Sequence, residues 1–151
     1  MRTRAFVQGP RRGSALVEFA LAVPLLIAIL GGTFQFGYTF YIYNRLHMAV
    51  RGAARYGTLC DYTGSGGAPT NQYLRAIRNF ALSGNPSAST PPLVPGLTDA
   101  NINVQVTLVN GRPDVVRVSI TGYQVNAIFR AYTLTGKPFA AFRFAGRIAS
   151  L

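Results

Sequence analysis

Between Phe19 and Tyr43 the chain runs for 25 residues without a charged side chain, and only Thr33, Gln35 and Thr39 in that run are plainly polar. About 20 apolar residues carry an α-helix across the hydrocarbon core of a bilayer. A helix buried in a soluble core rarely needs so long an unbroken run, so this stretch is expected to span a membrane. Arg2, Arg4, Arg11 and Arg12 precede it with no acid among them, and Arg45, Arg51 and Arg55 follow it. Basic flanks tend to stay on the cytoplasmic side, and the first flank usually dominates. The N-terminus is therefore expected in the cytoplasm and the C-terminal part outside it.

The rest of the composition narrows the function classes. Of 151 residues, 13% are charged and 49% hydrophobic, which excludes a disordered chain and argues against an ordinary soluble domain. The four acids are Glu18, Asp61, Asp99 and Asp114, and His47 is the single histidine, so a carboxylate-based enzyme or a metal centre would consume nearly all of them. A lone cysteine, Cys60, can make neither an internal disulfide nor a zinc cluster. It reads as a small packing residue, with a reactive or intermolecular thiol as the alternative. Gly64 to Gly67 has no lysine and no following helical register, so it is no phosphate loop. Neither an enzymatic activity nor a cofactor is expected.

A basic head before an apolar stretch also describes a secretory signal peptide. Two features oppose that reading. The run exceeds the 7–15 residues of a signal core, and no Ala-x-Ala site closes it. Glu18 stands near its start, where an acid is expensive, on the order of 2.5–3.5 kcal/mol at mid-bilayer and less towards the edge.

The segment Arg11-Arg12-Gly13-Ser14-Ala15-Leu16-Val17-Glu18-Phe19 resembles the prepilin signal: a basic leader ending in Gly, four residues, then Glu and an aromatic. The resemblance implies cleavage by a membrane aspartyl peptidase between Gly13 and Ser14, with Glu18 and Phe19 as the fifth and sixth mature residues. From Ser14 to Leu59 the chain resembles the TadE-like family of minor pseudopilins in tight-adherence (type IVc) pilus systems. The matching stretches are Val17 to Leu21, Val23-Pro24-Leu25-Leu26, Gln35-Phe36-Gly37 and Ala49 to Gly57. TadF and TadG proteins share parts of this pattern. The resemblance implies a role in pilus assembly, priming or tip formation for surface adhesion. It also implies three kinds of partner: a prepilin peptidase, other pilins and pseudopilins, and the assembly platform of the bacterial inner membrane. The large head departs from the major pilins of these systems, which are short and mostly helical, and so suits a minor subunit.

The motif has physical reasons. A peptidase must close around extended backbone, and Gly13 permits that; the alternative is a helix-preceding Gly with Ser14 as N-cap. Glu18 is favoured by the helix dipole by roughly 0.3–1 kcal/mol, too little to offset full insertion into lipid. After cleavage the Ser14 amine, one turn away, would neutralise it, and in prepilin families this Glu is thought to meet a neighbouring subunit's amine. Alternatively, Glu18 simply lies in the headgroup layer. Pro24 removes one ladder bond and clashes with the Ala20 carbonyl, so a kink or local break is expected there. Gly31, Gly32 and Gly37 either offer flat packing surfaces or are ordinary transmembrane glycines.

Helical periodicity continues beyond the membrane. Ile42, Leu46, Ala49, Ala53 and Tyr56 share one face, Asn44, His47, Arg51 and Arg55 the other, and Gly57 reads as a stop. Residues 1–13 are thus a basic leader, 14–43 a transmembrane helix, 44–59 its stem continuation and 60–151 an extracytoplasmic head.

In the head, 61–70 reads as a loop. Tyr73, Leu74, Ile77, Phe80 and Ala81 predict a short amphipathic helix capped by Asn71, and the prolines of 83–99 predict a connector. Alternation predicts strands at Ile102 to Leu108 and Val116 to Thr121, joined by a turn over Asn110-Gly111-Arg112-Pro113-Asp114. A third strand is expected over Phe139 to Ile148, residues 123–138 read as strand or loop, and Val125 to Tyr132 reads equally as a short helix. The expected fold is α+β and pilin-like, a three-stranded antiparallel sheet packed on a long N-terminal helix. Two other readings remain open at this point: an unprocessed single-pass anchor of the pilus or secretion machinery, and a DNA-binding minor pilin. For the latter, arginines and tyrosines offer charge and stacking surfaces, although scattered arginines usually serve solvation.

Overall fold

In the computed structural model, the described residues are 12–60, 62, 68–87, 90–126 and 131–144. The chain divides into two units, Met1–Gly37 and Tyr38–Leu151. Helix α1, Arg12–Leu59, contributes to both. In the first unit, nearly every described side chain of α1 is exposed, from Leu16 at 70% to Phe36 at 79%, as expected of a helix with no protein core around it. The helix is unbroken through Pro24, so the anticipated local break is absent. A single missing N–H removes one bond from a ladder that long helical runs continue on either side.

The second unit is an α+β assembly. Its α1 residues bury Ile42, Leu46, Ala49, Val50, Ala53 and Ala54, the expected face widened by Val50 and Ala54. Against them pack α2, Asn71–Ser83, with Tyr73, Ile77 and Ala81 buried, and the inner face of a sheet. The cap of α2 is Thr70 and not Asn71: the Thr70 hydroxyl accepts from the Tyr73 N–H at 3.3 Å while its own backbone stays extended. At the far end Gly84 takes the left-handed conformation, φ 77°, and donates its N–H to the Phe80 carbonyl. A short 3₁₀ turn, Asp99–Asn101, follows the proline-rich connector.

The three-stranded sheet has the order β1-β2-β5, antiparallel throughout, with β1 Ile102–Val109, β2 Arg112–Ile120 and β5 Phe139–Arg143. Val116, Val118 and Ile120 enter the core and Arg117 faces out as expected, but Ser119, expected on the outer face, is buried as well. The β1–β2 turn is tighter than expected. It uses only Asn110 and Gly111, at φ 52° and 76°, the primed geometry that suits a two-residue hairpin. Arg112, Pro113 and Asp114 belong to β2, where a register shift opposite Thr107 and Leu108 makes Asp114 a bulge residue. The third strand ends at Arg143, before the described Phe144, and 145–148 of the expected continuation to Ile148 lie outside the described residues.

A second, two-stranded sheet accompanies the first. Strand β3, Tyr123–Asn126, pairs antiparallel with β4, Ala131–Leu134. The helical alternative for Val125 to Tyr132 is thereby excluded at its two ends, while 127–130 lie outside the described residues.

Candidate functional site

The sequence points to the start of α1. Gly13 and Ser14 fall in its first turn, because the helix already includes Arg12. Ser14 is therefore inside the helix and not its N-cap, and the Gly13–Ser14 peptide bond is helical. Among the described residues nothing requires glycine at Gly13. Its φ is not positive, and a Cβ built on it would meet nothing within 4 Å. A helical Gly is destabilising by roughly 0.5–1 kcal/mol relative to Ala, so the fold alone favours another residue.

Glu18 lies one turn further on, exposed between Val17 at 62% and Phe19 at 66%. Among the described residues it forms no ion pair. Pro24 is exposed within the same apolar surface. Gly32 and Gly37 have nothing within 4 Å of a built Cβ, so no part of the described chain uses their flatness. Gln35 is the buried residue among the described residues of this unit. The α1 segment is long and apolar enough to cross a membrane, and none of its apolar window is buried, which separates it from a soluble core helix.

The C-terminal half of α1 is fixed by packing. At Gly57, a built Cβ would lie 2.8 Å from Ile77 Cδ1 and 3.2 Å from Val116 Cγ1, so α1, α2 and β2 converge on this position. The helix ends at Leu59, the end expected from sequence, and Gly57, read as its stop, is a close-approach residue two positions earlier. The Tyr73 hydroxyl donates to the Gly57 carbonyl at 2.6 Å. Burial first, then the nearby Cys60 and Tyr62, pushes the Tyr73 phenol well above its ordinary range. Tyr56 stacks on Phe80 with centroids 4.8 Å apart. A hydrogen bond with Cys60 raises its phenol, with burial adding to the effect. Cys60 packs against the core, as a small apolar residue would. On the outer face Arg45 donates to the Tyr41 hydroxyl at 2.7 Å, while Arg51 and Arg55 are exposed. His47 is half-buried, its ring centroid 6.4 Å from that of Tyr43.

The comparison with protein families falls on this helix. The model of the TadE-like protein family matches residues 13–55. The helix is TadE-like. The match opens on Gly13 and closes on Arg55, so it takes in Gly13, Ser14, Glu18, Phe19 and Pro24 and lies wholly within α1. It covers the stretch on which the sequence resemblance was read, apart from its last four residues. No curated protein and no solved structure is significantly similar to the chain. The TadE-like signature is thus a property of α1, and the match does not reach the α+β head.

Proposed function

We propose that the chain is a minor pseudopilin of a tight-adherence pilus, held as a single-pass protein in the bacterial inner membrane by its TadE-like helix. In this reading a prepilin peptidase cuts between Gly13 and Ser14, removing the basic leader and leaving 11 basic residues against 4 acids. The N-terminus faces the cytoplasm and the head the opposite side. The observation that carries the reading is the pairing of Gly13 with Glu18 at the start of an apolar helix that gives neither a structural reason.

The chemistry is consistent. In the intact chain Glu18 is a carboxylate among exposed apolar side chains with no ion pair among the described residues, a costly position in or near lipid. Cleavage creates a cationic amine at Ser14, about 6 Å before Glu18 along the helix axis. That amine, or the same group on an adjoining subunit, neutralises the acid and lets the helix enter a bundle with other pilins at the assembly platform. Cleavage also requires the first turn to unwind so that the peptidase meets extended backbone. The first turn is the part of a helix that frays most readily, and glycine there makes unwinding easier.

The test is the mass of the mature N-terminus in the membrane fraction, with and without the prepilin peptidase. A start at Ser14 that depends on the peptidase is expected. An intact N-terminus in both strains would refute processing and leave an unprocessed membrane anchor.

A further inference from the structure

The head contains a half-open cleft of about 470 Å³, lined by Tyr38 and Ile42 of α1, by Pro95 and Asn101, and by the five consecutive residues from Gly122 to Asn126. Along β3, Tyr123 and Val125 are buried while Gln124 and Asn126 are exposed, so the two pairs face opposite ways. A cavity that touches both pairs runs along the edge of the strand and not across one face. The other edge of β3 is taken by β4, and no residue of β4 lines the cleft. Among the described residues β4 is the only strand that pairs with β3, so the cleft follows an unpaired strand edge.

We infer that this cleft takes an extended, uncharged peptide segment of a partner protein, added as a strand beside β3. An open strand edge offers unpaired backbone donors and acceptors, and strand addition is the common way such an edge is used. Five residues present an edge roughly 16 Å long, enough to pair a short segment. The lining is wholly neutral in a head whose surface otherwise carries exposed Arg51, Arg55, Arg75, Arg117 and Arg143. A charged occupant would lose hydration there without gaining a counter-charge. The added strand shares the pleat of β3, so its side chains alternate between the face of Tyr123 and Val125 and that of Gln124 and Asn126. The fitting sequence therefore alternates apolar residues with amide or hydroxyl residues. All the cleft residues except Tyr38 and Ile42 lie outside the TadE-like match, and the inference holds whether or not Gly13 is a cleavage site.

The experiment is hydrogen exchange on the full chain in lipid nanodiscs. The probes are a capped six-residue peptide alternating Val and Thr, and the same peptide with Glu in place of Thr. At ten times its Kd the Val/Thr peptide leaves the edge free about one-tenth of the time, so exchange of the β3 amides that face away from β4 is expected to slow about tenfold, while Gly122, which donates to the Leu134 carbonyl, serves as an internal control. The Glu peptide is expected to leave their exchange unchanged. Changing Gln124→Glu together with Asn126→Asp, both at exposed positions, should abolish the slowing while leaving β1–β2 exchange as it was. Equal slowing by both peptides, no slowing at any peptide concentration, or protection before peptide is added of the β3 amides that β4 does not bond would each overturn the inference. The last result would mean that the chain covers its own edge.

Discussion

Gly57→Ala gives the sharpest test of how α1 is held against the head. Two opposing effects act at this position. In a helix Ala is favoured over Gly by about 1 kcal/mol. Against that, the new Cβ would sit 2.8 Å from Ile77 Cδ1, 3.2 Å from Val116 Cγ1 and 3.3 Å from Ile77 Cγ1. Ile77 and Val116 are both fully buried, so neither can swing into solvent. Overpacking of this kind costs roughly 1–3 kcal/mol, and it wins over the propensity gain by about 1 kcal/mol. For a unit of this size that lowers Tm by on the order of 4 °C. The cause is checked with Ile77→Val, which removes the closest atom. Alone it should destabilise by roughly 0.5–1.5 kcal/mol. In the Gly57→Ala background the same change relieves the clash and should be nearly neutral, giving a coupling energy of about 1 kcal/mol. The assay is denaturant unfolding of the four variants in nanodiscs. Gly32→Ala, which meets nothing within 4 Å, serves as the control and should leave head stability unchanged. Additive effects of the two head substitutions would refute the proposed convergence at Gly57.

Three further outcomes follow from the same structure. Tyr73→Phe removes the donor to the Gly57 carbonyl and should cost roughly 1–2 kcal/mol in the same unfolding assay. Because burial raises the Tyr73 phenol, its contribution to stability is complete below the unfolded value of about 10 and is lost as pH rises towards the folded value. Head stability should therefore fall above about pH 10, and Tyr73→Phe should make that fall shallower. Thr70→Ala removes the cap of α2 and should cost about 1 kcal/mol, read as faster amide exchange in its first turn. Glu18→Ala should be cut normally after Gly13 but fail to co-purify with other pilins; normal co-purification would refute an assembly role for the carboxylate.

The long apolar helix and the β1–β2 hairpin were legible in the sequence because each rests on a local pattern. A charge-free run of 25 residues has few other outcomes, and Asn110-Gly111 between alternating segments supplies the two positive φ values a tight turn needs. The α2 boundary moved by one residue because Thr70 and Asn71 are both competent caps, and only tertiary context decides between them. Strands β3 and β4 were not legible: four residues each carry too little alternation, and Ala131, Tyr132 and Thr133 of β4 are exposed. The cleft was invisible for a different reason. Its walls come from Tyr38, Pro95 and Gly122, segments that are far apart in the chain and carry no motif. Gly57 was misread because a glycine near a helix end has two meanings, a terminator or a contact point, and its neighbour Ile77 comes from another element.

The residues of α1 fall into two classes, and the division bears on function. Leu46, Val50, Ala53 and Gly57 are accounted for by the head: each is buried, and substitution would open a cavity or force a clash. Gly13, Glu18, Gly32 and Gly37 are not accounted for by any contact in the described chain. Three of these are glycines that weaken a helix, and the fourth is an acid beside an apolar run. Features that lower the stability of the isolated chain without serving its packing must answer to something that meets the helix from outside. A lipid environment alone does not supply that reason, since Ala is at least as compatible with a membrane helix as Gly and any apolar residue is better than Glu. In the proposed function, a peptidase that needs a flexible site and a bundle of neighbouring helices that needs close approach and a charge partner would supply it together. The same division ranks the substitutions. Ala at Gly32 or Gly37 should leave the head's stability untouched while weakening association with other pilins, a pattern opposite to that of Ala at Gly57. If Ala at Gly32 and Gly37 leaves association intact as well, these glycines are ordinary residents of a membrane helix, and the bundle contact must lie on another face.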